Sequence, residues 1–176
     1  MIQRIKWTAR TFDHELPVGL FAAVLERLRG TPLRAAVLLG EVAEPLRRTR
    51  VGDGWSAQEH VGHLADLHDL DTVRLREYLE GAAVLSSADM SNRRTYEADH
   101  NRAATAILLE RFRVHRDELV RALEAVSEAD ANRAAQHPRL RRPLRLIDWM
   151  YFVAEHDDHH LAAARETLRT AAGATT

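Results

Sequence analysis

Six of the ten histidines in this chain fall into two short clusters, His60, His63 and His68 in the first and His156, His159 and His160 in the second. Imidazole is the commonest metal ligand among side chains and is largely neutral at pH 7, so two such clusters point first to a divalent-ion site. The chain contains no cysteine. That absence excludes disulfides, thiolate-bound zinc, iron–sulfur clusters and a cysteine nucleophile on the protein itself. Spacing excludes further arrangements. The run His156-Asp157-Asp158-His159-His160 lacks the glutamate of the His-Glu-x-x-His zinc-protease helix. A di-iron carboxylate bundle needs two Glu-x-x-His pairs, and only Glu97 to His100 is present.

Helical periodicity decides which imidazoles meet. At about 100° per residue, Leu146, Trp149, Met150, Val153, Leu161, Ala164 and Leu168 define one apolar face of the last helix, and His160 points near its middle. His156 lies within about 40° of His160 and one turn below it, so both rings reach one point inside a bundle. His159 turns toward Glu155 and Glu166, Asp158 toward solvent, and Asp157 back to the apolar side. Two imidazoles do not hold a divalent ion tightly, so the second helix must supply another ligand. Its stripe of Val61, Leu64, Leu67, Leu75 and Leu79 is centred nearer His68 and His60 than His63, and faces alone rank those two ahead. His156-Asp157 with His63 upstream also has the ligand types of helical HD-type phosphohydrolases, but their separation along the chain is long for that class.

The elements that carry these residues read as four long helices. The first runs to Gly30 and restarts at Thr31-Pro32, toward residue 43. Gly52, Asp53 and Gly54 mark a loop. Ser56 and Glu59 form a capping box that starts a helix over about residues 57–79, stopped at Gly81. Residues 82–94 read as a long crossing loop, residues 97–126 as a third helix, and the segment from Leu144 or Leu146 to Leu168 as the last. No segment shows the alternation or turn chemistry of a hairpin. The expectation is an all-α four-helix bundle in which the long second connection prevents a simple chain of antiparallel neighbours.

A chain of 176 residues fits one domain, here residues 1–176, with residues 1–16 as an N-terminal extension and residues 170–176 as a fraying tail. A formal net charge of -1 offers no general attraction for nucleic acid or anionic membranes. Asp13 and Glu15 stand where a signal peptide would avoid acid, and no window approaches the roughly 20 apolar residues of a membrane span. A cytoplasmic protein acting on a small molecule is expected, and an exposed helix face leaves room for a homodimer. Trp55 and Trp149 read as packing anchors beside the site. His14, His100 and His137 read as surface residues, and His115 as interior and neutral. Arg139, Arg141, Arg142 and Arg145 form a basic cluster, either solvated or able to meet an anionic co-substrate.

Trp55-Ser56-Ala57-Gln58-Glu59, followed by His63-Leu64-Ala65-Asp66 and His68, resembles the second-helix signature of the DinB/YfiT-like superfamily. His137-Pro138-Arg139-Leu140, then Asp148-Trp149 and Ala154 through Leu161, is similar to that family's last loop and last helix. The likeness runs from about residue 17 to residue 169 in the family's order. It implies a four-helix bundle of the DinB/YfiT type holding one divalent ion, zinc or nickel, through His63, His156 and His160. The choice of His63 thus rests on the family, against the ranking by faces. Water would complete such a site, which makes it open rather than structural.

The resemblance also implies an activity. Members with assigned activities mostly add a low-molecular-weight thiol, such as bacillithiol or mycothiol, to an electrophile. An ion held by three neutral imidazoles deprotonates a bound thiol or water near neutral pH, so the reactive sulfur would come from the co-substrate. Glu59, Asp66 or Asp157 would orient a ligand imidazole by accepting its other N–H. The alternatives are a hydrolase that uses metal-bound water and a non-catalytic, stress-related metal-binding protein.

Overall fold

The computed structural model describes residues 3–173. Within them lie eight α-helices, one hairpin and three single 3-10 turns; the helices and strands follow in chain order as α1 (Phe21–Gly40), α2 (Glu44–Arg47), α3 (Ala57–Asp66), α4 (His68–Glu80), α5 (Arg93–Glu97), α6 (Thr105–Glu124), α7 (Glu128–Ala131), β1 (Ala134–His137), β2 (Arg142–Arg145) and α8 (Leu146–Gly173). Both α1 and α3 pack against α6 and α8, so the first two long helices of the chain face each other across a diagonal. This is the departure from antiparallel neighbours that the long connection implies. Two apolar clusters fill the bundle. One gathers Leu28, Tyr78, Leu123, Leu146, Trp149 and Met150, the other Leu39, Val61, Leu64, Phe112 and Ala164. Among the described residues no helix is long and apolar enough to cross a membrane.

Local chemistry starts α3 as expected. The Ser56 hydroxyl accepts from the Glu59 amide at 3.1 Å, and the Glu59 carboxylate accepts from the Ser56 amide at 2.8 Å. Gly81, left-handed at φ 74°, closes α4. Four boundaries differ from the sequence reading. Gly30 and Pro32 do not interrupt α1, because Leu28, Thr31, Pro32 and Ala35 are all buried and tertiary packing outweighs the missing proline N–H. The second helix divides at Leu67, so α3 and α4 are separate and α4 packs on α6. Left-handed Asn92 and Asp99 break the residues before α6 into α5 and a short turn, which delays α6 to Thr105. Residues 170–173 continue α8, with Ala171 buried, whereas 174–176 lie outside the described residues.

The hairpin was not anticipated. Strands β1 and β2 pair antiparallel, with Gln136 opposite Pro143. The Gln136 amide donates to the Ala83 carbonyl, and its carbonyl accepts from the Leu85 amide, so Pro143 stands opposite a residue that asks nothing of it and its missing N–H costs no ladder bond. Buried Tyr78 donates to the Leu144 carbonyl at 3.0 Å and ties this hairpin to α4.

The segment between α4 and α6 is held on α3 by Gln58, whose amide nitrogen donates to the His100 and Ala103 carbonyls while its oxygen accepts from the Thr105 hydroxyl. His100 is therefore no surface residue. It is 3% exposed, with its ring pressed on Gly62, where an added Cβ would sit 2.2 Å from His100 Cδ2. Gly62→Ala is expected to destabilise the fold by about 2 kcal/mol, overpacking exceeding the ~1 kcal/mol gain in helix propensity. Urea denaturation measures this, and a stabilised variant would contradict it.

Candidate metal centre

Helix α3 presents His63 and α8 presents His156 and His160, and the three offer one nitrogen each within 4.8 Å of one another. The Nε2 atoms of His156 and His160 are 3.1 Å apart, close to the separation spanned by two nitrogens bound to one ion at about 2.1 Å. Burial holds all three imidazoles neutral. His63 is pushed down to about 4, and His156 and His160 fall well below the ordinary value, with neighbouring histidines reinforcing the effect. Three neutral, desolvated nitrogen donors within reach of one point could hold a divalent metal ion.

Two contacts orient these rings. His63 Nδ1 lies 3.0 Å from the Thr95 hydroxyl, which in turn donates to Asp66 at 3.2 Å. Because that hydroxyl has one proton and gives it to the carboxylate, it accepts from His63 Nδ1–H, which leaves Nε2 as the free donor atom. His160 Nδ1 pairs with His60 Nδ1 at 3.0 Å, leaving its Nε2 toward His156. Asp66 thus acts on a histidine through Thr95 rather than directly. Its other contacts are His100 Nε2 at 2.7 Å and Arg111 at 2.8 Å, and despite burial these hold its carboxyl below the usual range.

Other expected residues fall elsewhere. Glu59 is committed to Arg50 and to the Ser56 amide, and Asp157 to a buried pair with Arg116 at 2.9 Å, so neither accepts from an imidazole of the cluster. A carboxylate on the apolar side of α8 meets the α6 guanidinium before it can reach a histidine one turn away. His68, favoured by the face argument, lies on α4 beyond the break at Leu67, stacks on His115 at 4.1 Å and faces Glu118. His60, also favoured, does reach the cluster, as the partner of His160. His115 is half-buried, its Nδ1 3.0 Å from the Ala65 carbonyl. Trp55 stands 4.9 Å from the His63 ring, whereas Trp149 packs on Tyr78 in the core.

The cluster opens on a cavity of about 920 Å3 walled by α3, α4, α8, the segment 86–95, the hairpin loop and the N-terminal residues. Residues 3–16 do not trail away as an extension. Trp7 lies 4.9 Å from His156 and 5.0 Å from Phe152, and Arg4 reaches His159 and Glu166. His14 and His137, expected at the surface, are 7% and 2% exposed. Sequence reasoning missed Thr95 and Trp7. Thr95 carries no motif, but the interleaved Arg4, Trp7, Arg10 and Phe12 were a signal that this segment packs on aromatic and acidic partners.

A family model described as the DinB superfamily matches residues 21–164. Among solved structures, YfiT from Bacillus subtilis, described as a probable metal-dependent hydrolase with an unusual four-helix bundle topology, is similar at a TM-score of 0.79 and 18% identity, over 92% of this chain and 93% of that one. A mycothiol-dependent maleylpyruvate isomerase is similar at a TM-score of 0.66 and 13% identity, over 86% of this chain and 62% of that one. No curated protein matches this chain significantly.

Proposed function

This chain belongs to the DinB superfamily, and on that premise we propose that it is a metal-dependent enzyme that joins a low-molecular-weight thiol to a small electrophile. The observation that carries the reading is the convergence of His63, His156 and His160, all neutral, on the wall of an open cavity. A zinc or nickel ion there would keep its double charge against three neutral ligands and lower the pKa of a thiol in contact with it. The protein's own part is positioning. Thr95 fixes which nitrogen His63 presents, His60 occupies Nδ1 of His160, and Asp66 fixes Thr95. Trp7 and Trp55 flank the histidines with apolar surface that limits water around the reacting groups. Asp66 is engaged by His100, Arg111 and Thr95, and the chain has no cysteine, so the attacking sulfur arrives with the co-substrate.

The test is a rate measurement on zinc- and nickel-loaded protein. With a small-thiol series and 1-chloro-2,4-dinitrobenzene, the loaded protein is expected to exceed the uncatalysed rate at least tenfold, and the chelated protein to match it. No thiol-dependent rate, together with metal-dependent hydrolysis of p-nitrophenyl acetate, would replace this reading with one in which water is the nucleophile.

A further inference from the structure

The basic cluster of the hairpin separates in the folded chain. Arg145 pairs with Asp148 at 2.8 Å, and Arg141 and Arg142 are exposed. Arg139 turns inward and lines the cavity that holds the three histidines. Three arginines line that cavity among the described residues, and two are satisfied: Arg74 donates to the Ser86 carbonyl, and Arg94 pairs with Asp69. Arg139 has neither hydrogen bond nor ion pair among the described residues, and its Cζ lies over the Trp7 ring, 5.9 Å from its centre. A half-buried guanidinium with no protein acceptor, lining a cavity, is free to receive an anion there.

A second donor stands beside it. His137 Nδ1 accepts from the Leu140 amide at 3.2 Å, which places the ring proton on Nε2. That Nε2 is buried and has no partner, on a side chain 2% exposed that also lines the cavity. The same turn that caps itself on Nδ1 therefore leaves a desolvated N–H on the wall of the cavity that Arg139 also lines.

We propose that Arg139 and His137 form a carboxylate subsite, so that the substrate pair includes a small carboxylic acid whose apolar body lies along Trp7 and Phe152. This deepens the function proposed above and rests on it for the reaction, though not for binding. Trp7 ties the two places together: its ring centre is 5.9 Å from Arg139 Cζ and 4.9 Å from the His156 ring. The acid group and the histidine cluster thus both lie against one indole, which suits a compact molecule. The carboxylate belongs to either the electrophile or the thiol, and the chemistry at Arg139 is the same in both cases.

Benzoate and its neutral isostere benzamide are the probes, titrated into the full chain with zinc bound and after zinc removal. The Trp7 indole N–H resonance, assigned through Trp7→Phe, is the readout. Benzoate is expected to bind at least tenfold more tightly than benzamide, and Arg139→Gln to remove most of that preference, in keeping with a charge-assisted hydrogen bond. Arg139→Lys should restore part of it, and Arg142→Gln, at the exposed strand position, should leave it unchanged. With zinc bound, 4-mercaptobenzoate binding tighter than benzoate in an Arg139-dependent way assigns the carboxylate to the thiol. Equal binding assigns it to the electrophile. Equal affinity for benzoate and benzamide, or an Arg139→Gln protein that binds benzoate like the parent, would overturn the subsite. Failure of the chain to take up zinc with benzoate binding intact would remove the proposed reaction and leave the subsite standing.

Discussion

Replacing His160 with alanine is expected to lower zinc affinity by more than about a hundredfold, since loss of a partner one step behind a ligand already costs roughly 10- to 100-fold. His160 is the most heavily connected of the three rings, with Nε2 beside His156 and Nδ1 paired to His60. Thr95→Val should fall within the 10- to 100-fold range, because it leaves His63 in place but removes the acceptor that selects its tautomer. Thr95→Ser should behave like the parent. Competition against a chromogenic chelator measures all three affinities. Stoichiometric zinc in His160→Ala, with loss instead in His68→Ala, would return the assignment to the one that helix faces favour.

Acid is expected to unfold the metal-free protein over a narrow range centred between pH 5 and 6. Burial lowers His60 to about 3 and His63 to about 4, and His156 and His160 well below the ordinary 6.5. Whereas buried Asp71, pushed up to about 7, acts in the opposite direction, at these four positions the unfolded chain therefore binds more protons than the native one below pH 6.5. Their contribution to stability is complete above that value and is lost as pH falls toward the native pKa values. One pH unit below the unfolded value, each such histidine costs of the order of 1 kcal/mol, and the group together a sizeable part of a domain's total stability of about 5–15 kcal/mol. Zinc competes with these protons and should move the midpoint to lower pH. Near-ultraviolet circular dichroism against pH, with and without zinc, measures both effects. A metal-free protein as stable to urea at pH 4.5 as at pH 7.5 would contradict the argument.

What sequence made legible was local. The Ser56–Glu59 box, the stop at Gly81 and the His156–His160 pair each depend on neighbours within one turn, and each stands in the structure as read. The ranking of His60, His63 and His68 by faces differs from the grouping in the structure, where His63 and His60 stand beside His160 and His68, past the helix boundary at Leu67, stacks on His115 of α6. Thr95 and His100 were invisible for another reason. Their places depend on left-handed Asn92 and Asp99 and on the bare Cα of Gly62, a contact across 38 positions of sequence that no periodicity records. The hairpin lacked β-branched residues to announce it, and its register rests on an exchange between Gln136 and the segment after α4. Asp157 and Glu59 read as partners of a ligand imidazole, yet each is claimed by an arginine instead.

The family match begins at residue 21, whereas Trp7 lies across His156. Trp7, outside the matched residues, therefore forms one part of the cavity wall, while the three histidines lie within them, together with His137, Arg139 and Phe152 of the same cavity. A likeness confined to residues 21–164 thus compares the histidine cluster without comparing everything that shapes the space in front of it.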